Sequence, residues 1–388
     1  MKNPFAENNK VIWFFVGNPV FIASSRIHAW NIHQKLVSLG FSSYYAYLPA
    51  HIEEAIPLLP SDHDRFANLV QAGDVVVLQK LKNPINIPIL QLFRNLKLRI
   101  VLIDCDLPVV AETARLVDLI ICTSTALCDE YKKHGLQAAY IEDCPEFYYE
   151  NVQKSRRDKL HCYWFGDGSP RKWKDVLQLK RILSSDSRLQ NWELITISNH
   201  PDADIKWDSH YLQKAKEADV IAVPVFDSSA DSTVKSANRV LQSMALSVPV
   251  ICSPLPSYMH VVSSGKDGIV CATEDEWKQA FLQLQDETCR HQVAKAGFNT
   301  AQRYHIDIMI EQWIRVLGLS KSFKTSDKTR IQQMQRKLTQ FFLIRLMKRN
   351  INYWNWTHAT FSNTIYYLYL KGRIFLKRIT NGGFLFWC

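Results

Sequence analysis

The chain has 388 residues, 47% of them hydrophobic, with 47 Lys and Arg against 37 Asp and Glu and a formal net charge of +10. That apolar content excludes a disordered tail, and the length predicts two domains with chain to spare. Thirteen basic residues and one acid, Asp327, follow Ser320, so residues 321–388 carry +12 and residues 1–320 carry −2, which excludes a globular body coated in basic charge for nucleic acid.

The first apolar run, VIWFFVG at 11–17, sits behind Lys2 and Lys10 like the core of a signal peptide. Gly17, Asn18 and Pro19 break it, which predicts a strand entering a loop instead. SSRIHAWNIHQKLVSL follows as a helix, with Ile27, Trp30, Ile32, Leu36 and Leu39 as its apolar stripe and Gly40 as its stop. Further strands are expected at 44–49, 74–80, 99–106, 119–124 and 138–144. Several are apolar at consecutive positions, as strands of a parallel sheet covered on both faces are. The polar stretch NVQKSRRDK at 151–159 reads as a linker. Strands then return at 161–167, 192–198, 219–225, 249–254 and 268–272, with helices to about Leu317. Strand-helix alternation of this kind predicts doubly wound domains. The division is 1–155, 156–320 and a tail, 321–388. Nine cysteines, odd in number and without a C-x-x-C pair, read as reduced thiols of a cytosolic protein.

Residues 235–272 carry the most specific signal. Ser236 or Asn238 lies near the free amides of a helix start flanked by Lys235 and Arg239, an arrangement suited to a phosphate or diphosphate. Val240, Leu241, Met244 and Ala245 pack that helix inward, and a tight turn leads to the buried strand PVI. The order Q-S-M-A-L-S from Gln242, V-P-V-I from Val248 and H-V-V-S-S-G-K-D-G from His260 resembles the donor-binding half of GT-B glycosyltransferases, especially the large retaining group. WFGDGSPRKW, with Gly166, Pro170 and Lys172, is similar to that group's diphosphate loop, and GNPVFIASSR to its acceptor-side loop. The resemblance covers about residues 10–318.

The resemblance implies an α/β protein of GT-B architecture, two Rossmann-like domains facing a cleft, with a basic, aromatic helical tail added. It implies a donor nucleoside diphosphate sugar bound by Gly166, Lys172, Lys235, Asn238 and Arg239, with Ser198 at a strand end, Gln242 for ribose hydroxyls, and Arg171 or Lys235 replacing the group's Arg, whose slot holds Asp167. Neither a cofactor nor a metal is implied. Asn18, Arg26, His28 and Lys80 fall on the acceptor side, where a glycan or lipid-linked acceptor is expected. Two departures stand out. Val234 and Gln242 occupy the positions of the group's paired Glu residues, and Ser247 that of a Gly.

Asp104 and Asp106 end an apolar strand as D-x-D. They admit three readings: a general base toward an acceptor hydroxyl, a metal-binding pair of the GT-A kind, or loop carboxylates capping the next helix. Arg26, Lys80 and Lys82 are equally open between clamping an anionic acceptor and meeting solvent. Residues 321–388 hold 14 of the chain's 45 aromatic residues and 13 of its 47 basic ones. Ile331, Met334, Leu338, Phe341, Phe342 and Met347 form a rough stripe among Arg and Lys, the composition of an interfacial membrane helix. The expectation is a cytoplasmic enzyme held peripherally at an anionic membrane, without nucleic acid. The alternatives are a non-catalytic GT-B scaffold or partner subunit, or a sugar-nucleotide epimerase.

Overall fold

In the computed structural model the described residues are 9–150, 157–227, 229–319 and 332–343. Residues 1–339 make one compact unit and 340–388 a second.

The first unit contains two six-stranded sheets. In the first, β1 (Val11–Phe15), β2 (Ser43–Tyr45), β3 (Val75–Gln79), β4 (Arg99–Asp104), β5 (Leu119–Cys122) and β6 (Ala138–Tyr140) lie in the order β2-β1-β3-β4-β5-β6. The second contains β7 (Leu160–Phe165), β8 (Trp192–Ser198), β9 (Ile205–Lys206), β10 (Val220–Val223), β11 (Val250–Cys252) and β12 (Ile269–Val270), in the order β12-β11-β10-β7-β8-β9. Every pairing is parallel. This is the α/β plan that the alternation of strand and helix predicts.

The consecutive apolar residues explain the layering. All five residues of β1 are buried, as are all five of β3. Strands without a polar face must be covered on both sides, and helices do so here. The run at the amino terminus is thus a central strand. Its Trp13 Nε1 donates to Ser43 Oγ on β2 at 2.8 Å.

The first helix departs from the expected stripe. Ala23–Ser25 and Asn31–Ser38 are α-helical, but Arg26–Trp30 forms a π-helical turn. A π-turn rotates the following residues against the preceding ones. Trp30 becomes half-buried and Leu39 exposed, while Ser25 and His28 turn inward.

Ligands of open α/β sheets bind beyond the strands' carboxyl ends where the winding reverses. In the first sheet that point lies between β1 and β3, beside the loops that begin at Val16 and Lys80. In the second it lies between β7 and β10, beside the loops that begin at Gly166 and Pro224. Both loop pairs contain residues that the sequence singles out.

The chain passes between the sheets twice. The first passage is pinned by Tyr149 N–H to Ala245 O at 2.9 Å and by Ser247 Oγ to Tyr149 O at 2.6 Å. Ser247 is left-handed, with φ 54°, the geometry that would favour a glycine there. The return is made by helix Ile306–Val316, whose Met309, Ile310, Trp313 and Ile314 are buried in the core of the first sheet. Further on, Gln335 caps the open edge of that sheet. Its Oε1 accepts from Tyr45 N–H at 2.9 Å and its Nε2 donates to Tyr45 O at 2.6 Å, covering backbone groups that an edge strand leaves unpaired.

Of the expected interfacial stripe, Met334, Leu338, Phe341 and Phe342 lie among the described residues, where Leu338 and Phe342 are buried and so do not form an exposed apolar face; Ile331, Met347 and the tail's other aromatic residues lie outside the described residues. Among the described residues no helix is long and apolar enough to cross a membrane.

Candidate functional site

On the first domain, Asp104 closes β4 fully buried. Its Oδ2 accepts from Lys82 Nζ at 2.7 Å and from the Tyr131 hydroxyl at 2.5 Å, and its Oδ1 from Cys105 N–H at 3.0 Å. Lys82 Nζ also donates to Asp106 O at 2.5 Å. Lys82 and Asp104 therefore fix the turn that presents Asp106. The Asp106 carboxylate meets Lys80 on one oxygen and Lys235 on the other, the latter at 2.5 Å. Burial favours a protonated Asp106, but the two lysines outweigh it and hold its pKa well below the usual carboxylate range. Burial likewise opposes charge at Lys80. The neighbouring Cys105 and Asp106 reverse that and raise its pKa. Lys80 has φ 58°, so the backbone itself is bent out of its ordinary range to bring this lysine off the end of β3.

The other two acceptor-side cations are also paired. Arg26 contacts Glu146 through Nε at 2.5 Å and Nη2 at 3.1 Å. His28 Nε2 lies 3.0 Å from Asp143 Oδ1. Burial opposes a charged imidazole at His28, yet the Asp143 carboxylate prevails and raises the His28 pKa well above its ordinary value. Asn18 lines a cavity of ≈ 400 Å³ with Phe21, Ile22, Ala50, His51 and Ile52. Phe21 and Ile52 are 65% and 64% exposed, giving this side of the cleft an apolar wall.

On the second domain, helix Asn238–Ala245 begins beside Lys235 and Arg239. Gly166 lies close to Arg239: a Cβ there would be 3.6 Å from Nη1 and 3.0 Å from the Trp164 ring. Lys172 is ion-paired with Asp167. Its pKa is lowered by burial and then by the nearby charge of Arg239, while its partner Asp167, opposed by burial, is pulled down to about 2 by Lys172. Arg171 contacts Asp227 at 2.6 Å and Asp231 at 2.7 Å. The buried Ser198 Oγ accepts from His200 N–H at 3.2 Å. Asn238 Nδ2 is buried and has no hydrogen-bond partner among the described residues.

Both positions that match the group's paired Glu residues have prior engagements. Gln242 Oε1 accepts from Glu146 N–H at 2.7 Å and its Nε2 donates to Phe147 O at 2.9 Å. Its amide holds the passage between the sheets, and a ribose would have to displace that backbone. Val234 is buried, and its carbonyl accepts from Ser124 Oγ of the first domain at 2.6 Å.

No protein-family model and no curated protein matches this sequence. Solved structures do match it. The pneumococcal O-GlcNAc transferase GtfA, in complex with UDP and GlcNAc, superposes with a TM-score of 0.52 at 13% identity over 66% of this chain, which spans only 59% of that one. The lipopolysaccharide outer core galactosyltransferase WaaB gives a TM-score of 0.57 at 12% identity over 80% of this chain and 99% of its own. HepE of Anabaena, in complex with UDP and glucose, gives 0.55 at 11% identity over 80% and 100%. The fold is GT-B.

In a GT-B protein the two sheets face a common cleft, and Asp106 and Lys235 meet across it. The single-sheet GT-A reading of Asp104 and Asp106 falls with this topology. Several residues of the cleft escape sequence reasoning: Tyr131, Asp143, Glu146, Asp227 and Asp231 have no motif and are brought in by tertiary contacts alone. Gly168 had a signal in G-D-G. A Cβ there would lie 2.4 Å from His200 N, so the loop after β7 packs directly on the backbone after β8. Beside it Trp173 stacks on His200 with ring centroids 3.8 Å apart.

Where the chain leaves the first domain, Glu142 and Asp143 are buried next to each other. Glu142 accepts from the Tyr140 hydroxyl at 2.5 Å. Burial and then the Asp143 charge push its pKa up to about 8. A carboxyl whose pKa is raised by folding stabilises the fold most below its unfolded value and loses that contribution as pH rises through the folded one. Stability is therefore expected to fall from about pH 4.5 to about 8. Thermal unfolding across that window should show the slope, and Glu142→Gln should flatten it; an equal slope in the variant would refute the assignment.

Proposed function

We propose that this protein is a glycosyltransferase that moves a hexose from a nucleoside diphosphate sugar, held by the second domain, to a hydroxyl of a glycan or lipid-linked acceptor presented by the first. One observation carries the reading: Lys172, Lys235 and Arg239 gather around a helix amino terminus at the switch point of the second sheet, opposite Asp106. The charges of Lys172 and Arg239 oppose each other, Asp167 offsets this on the Lys172 side, and a diphosphate arriving between the two cations relieves the repulsion. Both GtfA and HepE were solved with UDP, which supports a nucleotide donor. The galactosyltransferase acting on lipopolysaccharide supports a glycan acceptor, and a role in polysaccharide or glycoconjugate synthesis.

In the reaction, the bond from the sugar's anomeric carbon to the β-phosphate oxygen breaks and one to the acceptor oxygen forms. Lys172, Lys235, Asn238 and Arg239 stabilise the departing diphosphate in place of a metal. Should the reaction invert the anomeric centre, Asp106 is placed to take the hydroxyl proton once Lys235 has released it, since the two lysines together hold it ionised. Asp104 is the less suited of the two, since it is fully buried and holds three donors, whereas Asp106 is 27% exposed.

Calorimetric titration with UDP, GDP, ADP and dTDP is the test. Micromolar binding of at least one is expected, and binding of none would sink the reading. A second reading, a non-catalytic GT-B partner subunit, is favoured by Val234 and by the occupied amide of Gln242. It predicts nucleotide binding without any product. Peripheral contact with an anionic membrane rests on the charge of +12 in residues 321–388. Truncation after Leu319 should release the protein from anionic liposomes, and undiminished binding would refute that contact.

A further inference from the structure

Asp106 belongs to the first domain, yet its carboxylate is shared between Lys80 of its own domain and Lys235 of the other. It is 27% exposed, Lys80 26% and Lys235 32%, so the trio stands open to solvent and to ligand. Lys235 also lies 3.3 Å from Asp231, which itself engages Arg171. Arg171, Lys172 and Lys235 of the second domain are thus held by carboxylates, and one of these carboxylates has crossed the cleft to reach its lysine. A carboxylate accepting from two ammonium groups makes the contacts that a phosphate oxygen would make in its place.

We propose that Asp106 is an internal substitute for the donor's diphosphate: it holds Lys235 while the cleft is empty, gives it up when a diphosphate arrives, and thereby sets the affinity for the donor. This rests on the reading of Lys235 as a diphosphate ligand. The substitute reduces apparent affinity to the fraction of molecules in which Lys235 is free. It also fastens the two domains together without a ligand, beside the Ser124–Val234 link. In the exchange Asp106 loses one of its two cations and retains Lys80.

The experiment is calorimetry of the full chain with inorganic pyrophosphate. Asp106→Asn is expected to bind it roughly tenfold more tightly than the unmodified protein, as for a competitor that occupies the lysine in about nine molecules of ten. Asp106→Ala, which leaves no acceptor for Lys235 at position 106, should do the same. A general loss of negative charge would also tighten binding, and a second background separates the two causes. In a Lys235→Met protein, adding Asp106→Asn should bring no improvement. Unchanged or weaker binding by both Asp106 variants would overturn the proposal, as would an improvement that persists without Lys235. If pyrophosphate binds the unmodified protein and Asp106 has no effect, the proposal alone fails. If it binds neither the unmodified protein nor the Asp106 variants, the donor-site reading fails with it.

Discussion

Lys172→Ala is expected to weaken binding of a nucleoside diphosphate by about ten- to a hundredfold, the loss of one to two charge-assisted hydrogen bonds. The site explains the size. Lys172 is half-buried, its side chain 36% exposed, beside Arg239, at the start of the helix Pro170–Ser184 that follows the Gly166–Ser169 loop. A diphosphate would meet there both an ammonium and the helix's first amides. Asp167 already neutralises Lys172, so removing the lysine also frees a carboxylate to repel the ligand. Both effects act in the same direction. Lys172→Arg should recover part of the affinity, because the charge survives while the geometry changes. Calorimetry with the best-binding nucleotide reads the change, and an affinity unaltered by Lys172→Ala would remove this residue from the site.

Asp104→Ala should destabilise the first domain by about 3 kcal/mol or more, because one buried carboxylate satisfies three donors. Without it the Tyr131 hydroxyl and the Lys82 ammonium lose their partner in a place that water scarcely reaches. Lys82→Met should cost less, since Asp104 retains Tyr131 and the Cys105 amide. The order of the two variants in urea unfolding is the check, and a milder effect for Asp104→Ala would contradict the account. Each variant should also loosen Asp106, which the same lysine positions through its carbonyl.

The layered fold was legible in the sequence because buried parallel strands leave unbroken apolar runs, as in VIWFF and VVVLQ. The glycine-like turn at Ser247 was legible from its place after the helix Asn238–Ala245, and its φ is indeed positive. Short edge strands were not, because Ile205–Lys206 has only two residues and no pattern to show. Nor was the π-turn at Arg26–Trp30, since a stripe of apolar residues is read on the assumption of one constant period. In the site, the cations were visible through the motif that places them. Their carboxylate partners were not: Asp106 is 129 residues from Lys235 and Glu146 is 120 from Arg26, and no local spacing records such pairs. The sequence therefore read Arg26 and Lys80 as open cations, whereas folding supplies each with an acid.

A crystal structure with the tightest-binding nucleoside diphosphate tests the central claim most directly. The account predicts its β-phosphate within hydrogen-bonding distance of Lys172 Nζ and of the first amides of helix Asn238–Ala245, with Lys235 turned from Asp106 toward the phosphate. A nucleotide bound away from these groups, with the Lys235–Asp106 pair intact, would contradict it.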